Sequence, residues 1–168
     1  PTIRSRCRLI RAGAPTREQA LEWLKSQGVQ DAERKLTEAG GMPLAVFDED
    51  ARFRLADETR ERFLAYLKLG HAAPPAQALS VADKDVTLSA AALFLSRWGW
   101  DLASAKVGCE PQYFPEFAEE IKTIAQAANP TGLYTWINSV RDIRRVSEHP
   151  LNAKTMIEAL LISYARNI

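Results

Sequence analysis

Apolar residues recur at three- and four-residue steps along nearly the whole chain, the spacing of helices that bury one face. One stretch departs from it: Cys7–Ile10 reads as the end of a strand, the single strand candidate. After the break at Ala14-Pro15, Thr16 and Gln19 have the spacing of a capping box. The helix it opens has Ala20, Leu21, Trp23 and Leu24 as its apolar face and Gly28 as its stop. Asp31 is the expected cap of a second helix through Ala32, Leu36 and Ala39, ended by Gly40-Gly41. Pro43 suits the first turn of a third, where its missing N–H costs nothing, with Leu44, Val46 and Phe47 following.

Longer helices follow. Residues 57–69 carry Phe63, Leu64 and Leu67 and stop at Gly70; Pro74-Pro75 turns the chain before a short segment over 76–82. Asp85 is the expected cap of a long helix with Leu88, Ala91, Ala92, Leu95 and Leu102 on one stripe. Phe114, Phe117, Ile121, Ile124 and Ala128 form the next stripe, broken at Asn129-Pro130. Leu133, Ile137, Val140 and Ile143 begin another, which His149-Pro150 ends. Asn152 caps the last helix, with Met156, Ile157, Leu160, Leu161 and Tyr164 on its wide apolar face. Short connections predict an all-α fold, with four or five of these helices packed as an antiparallel bundle. No repeat of fixed period and no low-complexity segment interrupts the pattern.

Composition supports a packed core: 168 residues, 46% apolar and 26% charged. The formal net charge of +1 argues against nucleic-acid binding over the whole surface, so any electrostatic role is local. Residues 1–47 carry 8 Lys and Arg against 5 Asp and Glu, whereas 48–168 carry 14 against 16. The acidic run Asp48-Glu49-Asp50 marks that change and a candidate domain boundary. Two cysteines, Cys7 and Cys109, and two histidines, His71 and His149, are too few and too scattered for a zinc site, and reduced thiols are the simpler expectation. The longest uncharged apolar run, near Leu88–Ser96, is too short to span a bilayer. A soluble cytoplasmic protein without cofactor or metal is expected.

Arg4, Arg6, Arg8 and Arg11 stand close together with no acid among them, on a segment that opens without Met or a basic-then-apolar leader. The chain is therefore expected to enter mid-domain. Such a cluster points at phosphate, at carboxylates or at water. Ser5 and Cys7 have no neighbouring His to serve as base, so nucleophilic catalysis is not expected. Glu119-Glu120 and Asp48–Asp50 read as solvated runs. Arg141, Arg144 and Arg145 make a basic helical patch beside Tyr134 and Trp136, suited to phosphate or an acidic partner if it is more than a solvated face. Trp98 and Trp100 straddle Gly99; one belongs in the core, and the other suits an oligomer interface.

Three stretches together carry a resemblance. Ser5-Arg6-Cys7 resembles the Ser-Arg-Cys motif of bacterial clamp-loader subunits of the AAA+ type, in which three lid helices and an all-helical collar follow in the same order. Gly40-Gly41-Met42-Pro43-Leu44-Ala45 is similar to the Gly-Ser-Met-Arg-Asp-Ala turn of the ATP-hydrolysing subunits, but Pro43 stands where their phosphate-contacting arginine does. His149-Pro150-Leu151-Asn152, followed by Ile157-Glu158-Ala159-Leu160-Leu161-Ile162, resembles the C-terminal signature of the delta-prime family of DNA polymerase III clamp-loader subunits. The match runs the length of the chain and is specific at its two ends.

The resemblance implies that residues 1–9 close an AAA+-like nucleotide-fold domain, 10–47 form a three-helix lid, and 48–168 form the oligomerising collar. The nucleotide fold and the family's zinc module would precede Pro1. It implies Arg6, flanked by Ser5 and Cys7, as a trans-acting arginine finger for a neighbouring subunit's ATP, and a lid turn at Gly40, Gly41 and Pro43 that does not sense the subunit's own nucleotide. No catalytic residue lies in this chain itself. The implied partners are the gamma/tau and delta subunits through the collar, and the sliding clamp and primer-template DNA through the complex. The activity would belong to a DNA-directed DNA polymerase holoenzyme. Two other readings stay open: a fragment of a gamma/tau-type ATPase subunit, or an unrelated all-α interaction module in which Ser-Arg-Cys is coincidental.

Overall fold

The computed structural model describes residues 13–48, 54–83, 85–149 and 152–168. The expected strand end at Cys7–Ile10 lies outside them, as does the Ser5-Arg6-Cys7 motif. The described residues form helices and turns with no strand, so the fold is all-α. In order these are α1 (Arg17–Ser26), α2 (Ala32–Glu38), α3 (Ala45–Asp48), α4 (Asp57–Leu67), α5 (Ala78–Val81), α6 (Leu88–Lys106), α7 (Ala118–Ala127), α8 (Pro130–Val146) and α9 (Ala153–Asn167).

The helix starts show local chemistry at work. Thr16 accepts from the Gln19 N–H at 3.3 Å while the Gln19 side chain accepts from the Thr16 N–H at 3.0 Å, the reciprocal box its sequence predicts. Asn129 caps α8 with Pro130 at the first helical position, and Asn152 caps α9 through the Thr155 N–H at 3.2 Å. Two expected caps are corrected. Asp31 adopts a left-handed backbone with φ 53°, and its side chain makes no capping bond. Thr87, not Asp85, caps α6, accepting from the Ala90 N–H at 3.2 Å; a cap must directly precede the first helical turn, and Asp85 stands two residues too early. The third helix begins at Ala45, so Pro43 belongs to the turn before it, and α7 begins only at Ala118, leaving Phe117 in a short 3₁₀ turn.

Buried apolar side chains fall into two clusters. The smaller joins α1 to α3 through Ala20, Leu24, Leu36 and Val46. The larger is a helical bundle in which α6 packs against α7, α8 and α9. Gly99 is what lets α8 approach α6: a Cβ there would stand 3.1 Å from Ile137 and 3.2 Å from Trp136. The core is tied by aromatic edges and by indole and phenol hydrogen bonds. Phe63, Phe94, Phe114 and Trp98 form a chain of T-shaped contacts. The Tyr164 hydroxyl donates to the Leu67 carbonyl at 2.6 Å and accepts from the Trp98 indole at 3.3 Å, while the Trp136 indole donates to the Leu160 carbonyl at 3.0 Å. Burial pushes the Tyr164 phenol far up, so it stays a neutral donor. Among the described residues no helix is long and apolar enough to cross a membrane.

Candidate functional site

Of the residues singled out by sequence, the Gly40–Pro43 turn sits in the most constructed surroundings. The construction starts in α6. Asp101 follows Trp98 by three residues and so shares its buried face; its carboxylate is wholly buried. It accepts the backbone N–H groups of Gln112 at 2.9 Å, Tyr113 at 2.9 Å and Phe114 at 2.8 Å. Burial pushes this carboxyl above the usual aspartate range, and the three amide donors pull it back part of the way. The loop before α7 is thereby fixed from beneath by a single side chain.

That loop forms the socket for the glycine turn. Gln112 donates its side-chain amide to the Gly40 carbonyl, and the Tyr113 ring lies under Gly40 itself. A Cβ at Gly40 would stand 2.7 Å from the ring, and its backbone already has φ +63°, which glycine alone adopts cheaply. The Arg97 guanidinium lies 5.7 Å from the Tyr113 ring centroid on α6's side. One ion pair spans the same joint, Arg34 of α2 to Asp57 of α4 at 3.8 Å, and beside it Arg60 of α4 meets Glu116 of the loop before α7 at 3.2 Å.

Beyond the socket the turn faces solvent. Pro43 carries neither charge nor donor, and around it Trp23, Met42, Leu44 and Ala45 line an apolar groove. Trp23, expected on the buried face of α1, is 37% exposed and meets Phe47 edge-on, because Ala20 and Leu24 take the side of the helix turned to the core.

The second candidate is altered by the structure. Arg141, Arg144 and Arg145 are exposed on α8, and Asp142 lies 3.7 Å from both Arg141 and Arg145. Tyr134 is half exposed, one helical face with Arg141 and Arg145. Trp136 is not part of this patch: it is wholly buried with its indole N–H committed to α9. The patch lies on α8, far along the chain from the glycine turn between α2 and α3, and shares no described contact with it.

Other candidates resolve simply. Arg6, with Ser5 and Cys7, lies outside the described residues. Glu119 and Glu120 are exposed, with Glu119 in reach of Lys122. Trp98 is the core member of its pair, and Trp100 is 58% exposed. Cys109 is a free, exposed thiol, and no group of His, Cys, Asp and Glu among the described residues could hold a metal ion. Sequence reading missed Asp101, Gln112 and Tyr113; the available signal was an acid standing on the apolar stripe, three residues after Trp98 and seven after Phe94. Comparison with protein-family models, curated proteins and solved structures returns no match.

Proposed function

We propose that this chain is the C-terminal portion of a bacterial clamp-loader subunit of the delta-prime type, in which the α1–α3 cluster is the lid and the bundle from α4 to α9 is the collar. The observation that carries the reading is the glycine turn. Where ATP-hydrolysing clamp-loader subunits place an arginine, this turn presents Pro43 among Trp23, Met42 and Leu44, an apolar surface with nothing to neutralise a triphosphate. A subunit built this way contributes to hydrolysis from outside, and Ser5-Arg6-Cys7 supplies the means. In this reading Arg6 stabilises charge on the γ-phosphate of a neighbour's ATP, a contribution typically worth about 10³–10⁵ in rate. The chain makes and breaks no bond itself; it assembles through its collar with gamma/tau and delta subunits, in the cytoplasm, to place a sliding clamp on primer-template DNA during replication. A gamma/tau-type subunit would be favoured by a cation at position 43, and Pro43 speaks against it.

The test uses the loader reconstituted around the full-length subunit. Arg6→Ala should abolish DNA-stimulated ATP turnover at the one site it faces while leaving assembly intact. Arg4→Ala and Arg8→Ala remove the same charge nearby and should behave as wild type. Equal, small effects from all three return the segment to a solvated strand end.

A further inference from the structure

α6 packs against α7, α8 and α9 with one side and carries a stripe of apolar and small residues on the other. Trp100 stands at the middle of that stripe, 58% exposed, with Val107 at the C-cap 70% exposed and Leu93 partly exposed. The stripe reads nearly the same in both directions. Seven residues before and after Trp100 stand apolar Leu93 and Val107, and four before and after it stand Ser96 and Ser104. We propose that α6 pairs antiparallel with α6 of a second copy of this chain along this stripe, the two Trp100 rings meeting at the two-fold axis.

A two-fold axis at Trp100 sets each position level with the one equally far on its other side, so a surface pairs with itself only if its two halves suit each other. Here Leu93 comes level with the partner's Val107, and Ser96 with the partner's Ser104. With Ala103, the two serines leave small side chains one helical turn from the Trp100 ring along the stripe, so two copies close without bulk holding them apart. Arg97, also one turn away, has its guanidinium over the Tyr113 ring on the flank of α6, 5.7 Å from the centroid. The Ser96 hydroxyl already donates to the Ala92 carbonyl at 2.7 Å, so covering it leaves no donor unmet. Leu93, Ser96, Trp100, Ala103, Ser104 and Val107 include no ionisable residue, so the pairing brings no like charges together.

Area sets the strength of the pair. The stripe is about 21 Å long and a helix about 10 Å across, so roughly 400 Å² of accessible surface is covered on each copy once the relief of the side chains is counted. That is about half of what a standard stable interface covers on each partner, which places the dissociation constant on the order of 10–100 μM. The pairing requires nothing of the clamp-loader reading and goes beyond it.

Sedimentation equilibrium of the 168-residue chain over about 5–500 μM, at fixed ionic strength, tests this. The average mass should rise with concentration from that of one chain toward that of two, and level there. Trp100→Ala should weaken the pair by about 10-fold or more while melting as wild type in dilute solution. Leu79→Ala removes apolar surface from α5, where that side chain is 53% exposed, and should pair as wild type. Leu93→Glu and Val107→Lys should each pair about 10-fold more weakly alone. An equal mixture of the two should recover most of the lost affinity, because an antiparallel pair sets the two substitutions against each other with opposite charge. A chain that stays single up to about 500 μM leaves the stripe to a different protein and overturns the proposal. So do association that continues past two copies, equal pairing by Trp100→Ala and Leu79→Ala, or no recovery in the mixture.

Discussion

Both oxygens of the Asp101 carboxylate reach the backbone N–H of Tyr113, at 2.9 Å and 3.2 Å, and the ring of that same tyrosine carries Gly40. One buried side chain in the middle of α6 thus sets the height of the loop on which the smaller cluster rests. Asp101→Ala takes the acceptor from three amide donors, of which the Phe114 N–H is buried and those of Gln112 and Tyr113 are partly buried. Leaving a buried donor unmet costs about 1–3 kcal/mol, so the substitution should cost roughly 3 kcal/mol in all, read as a lower urea midpoint at unchanged m-value.

The same residue predicts a pH dependence of unusual sign. Burial raises the folded pKa of Asp101 above its unfolded value. Its contribution to stability is therefore fully present below the ordinary aspartate pKa of about 3.9 and is lost as pH rises through the higher folded value. Asp101→Asn removes this titration, so the stability gap between wild type and that variant should narrow as pH rises from about 4 toward neutrality. A gap that widens over this range would mean that the amide donors outweigh burial. Chemical denaturation at a series of pH values decides it.

Gly40 and Gly41 separate backbone strain from collision. Both have positive φ, +63° and +78°, so alanine at either should cost about 1–2 kcal/mol from the left-handed conformation. At Gly41 the added Cβ would find its nearest atom at 3.9 Å, whereas at Gly40 it would collide with the Tyr113 ring at 2.7 Å. Gly40→Ala should therefore be the more damaging of the two, and Tyr113→Ala should remove the difference. Equal losses in the two single variants would show that the tyrosine gives way freely.

Where structure follows from neighbours in sequence, it could be read in advance. The Thr16–Gln19 box, the Asn152 cap and the burial of Leu88, Leu95 and Leu102 depend on spacing alone and are found as expected. Asp31 and Asp85 were expected to cap because of their residue type, but capping needs the right backbone angle and the right offset, and neither has both. Trp136 and Trp23 exchange their expected surroundings because a helix has one face toward its core, and the neighbours that define that face come from elsewhere in the chain. The socket of Asp101, Gln112, Tyr113 and Gly40 was out of reach for the same reason: its partners are 11 to 72 residues apart. An isolated acid on an apolar stripe signals that such partners exist without naming them.

Trp98 and Trp100, two residues apart on α6, should part completely under substitution. Trp98 is wholly buried, stacks edge-on with Phe114 and donates its indole N–H to Tyr164, which in turn holds α4 through Leu67. Removing it opens a cavity at the centre of the bundle and breaks that relay, at a cost of about 3–5 kcal/mol. Trp100 is 58% exposed, so Trp100→Ala should change the stability of the chain by no more than about 0.5 kcal/mol. A large aromatic ring held on the outside of a helix is nonetheless the kind of residue that dominates interfaces, where truncation commonly costs about 2 kcal/mol or more. If the bundle is an assembly collar, Trp100→Ala should melt as wild type yet bind the neighbouring subunits roughly 30-fold more weakly. Exposed Tyr134 on α8 serves as the comparison, since its loss removes similar area from another face. Sedimentation of the reconstituted complex across both variants reads the result: wild-type assembly by Trp100→Ala would place the collar contact away from this side of α6, and a fall in melting temperature for Trp100→Ala would show that its ring supports the bundle itself.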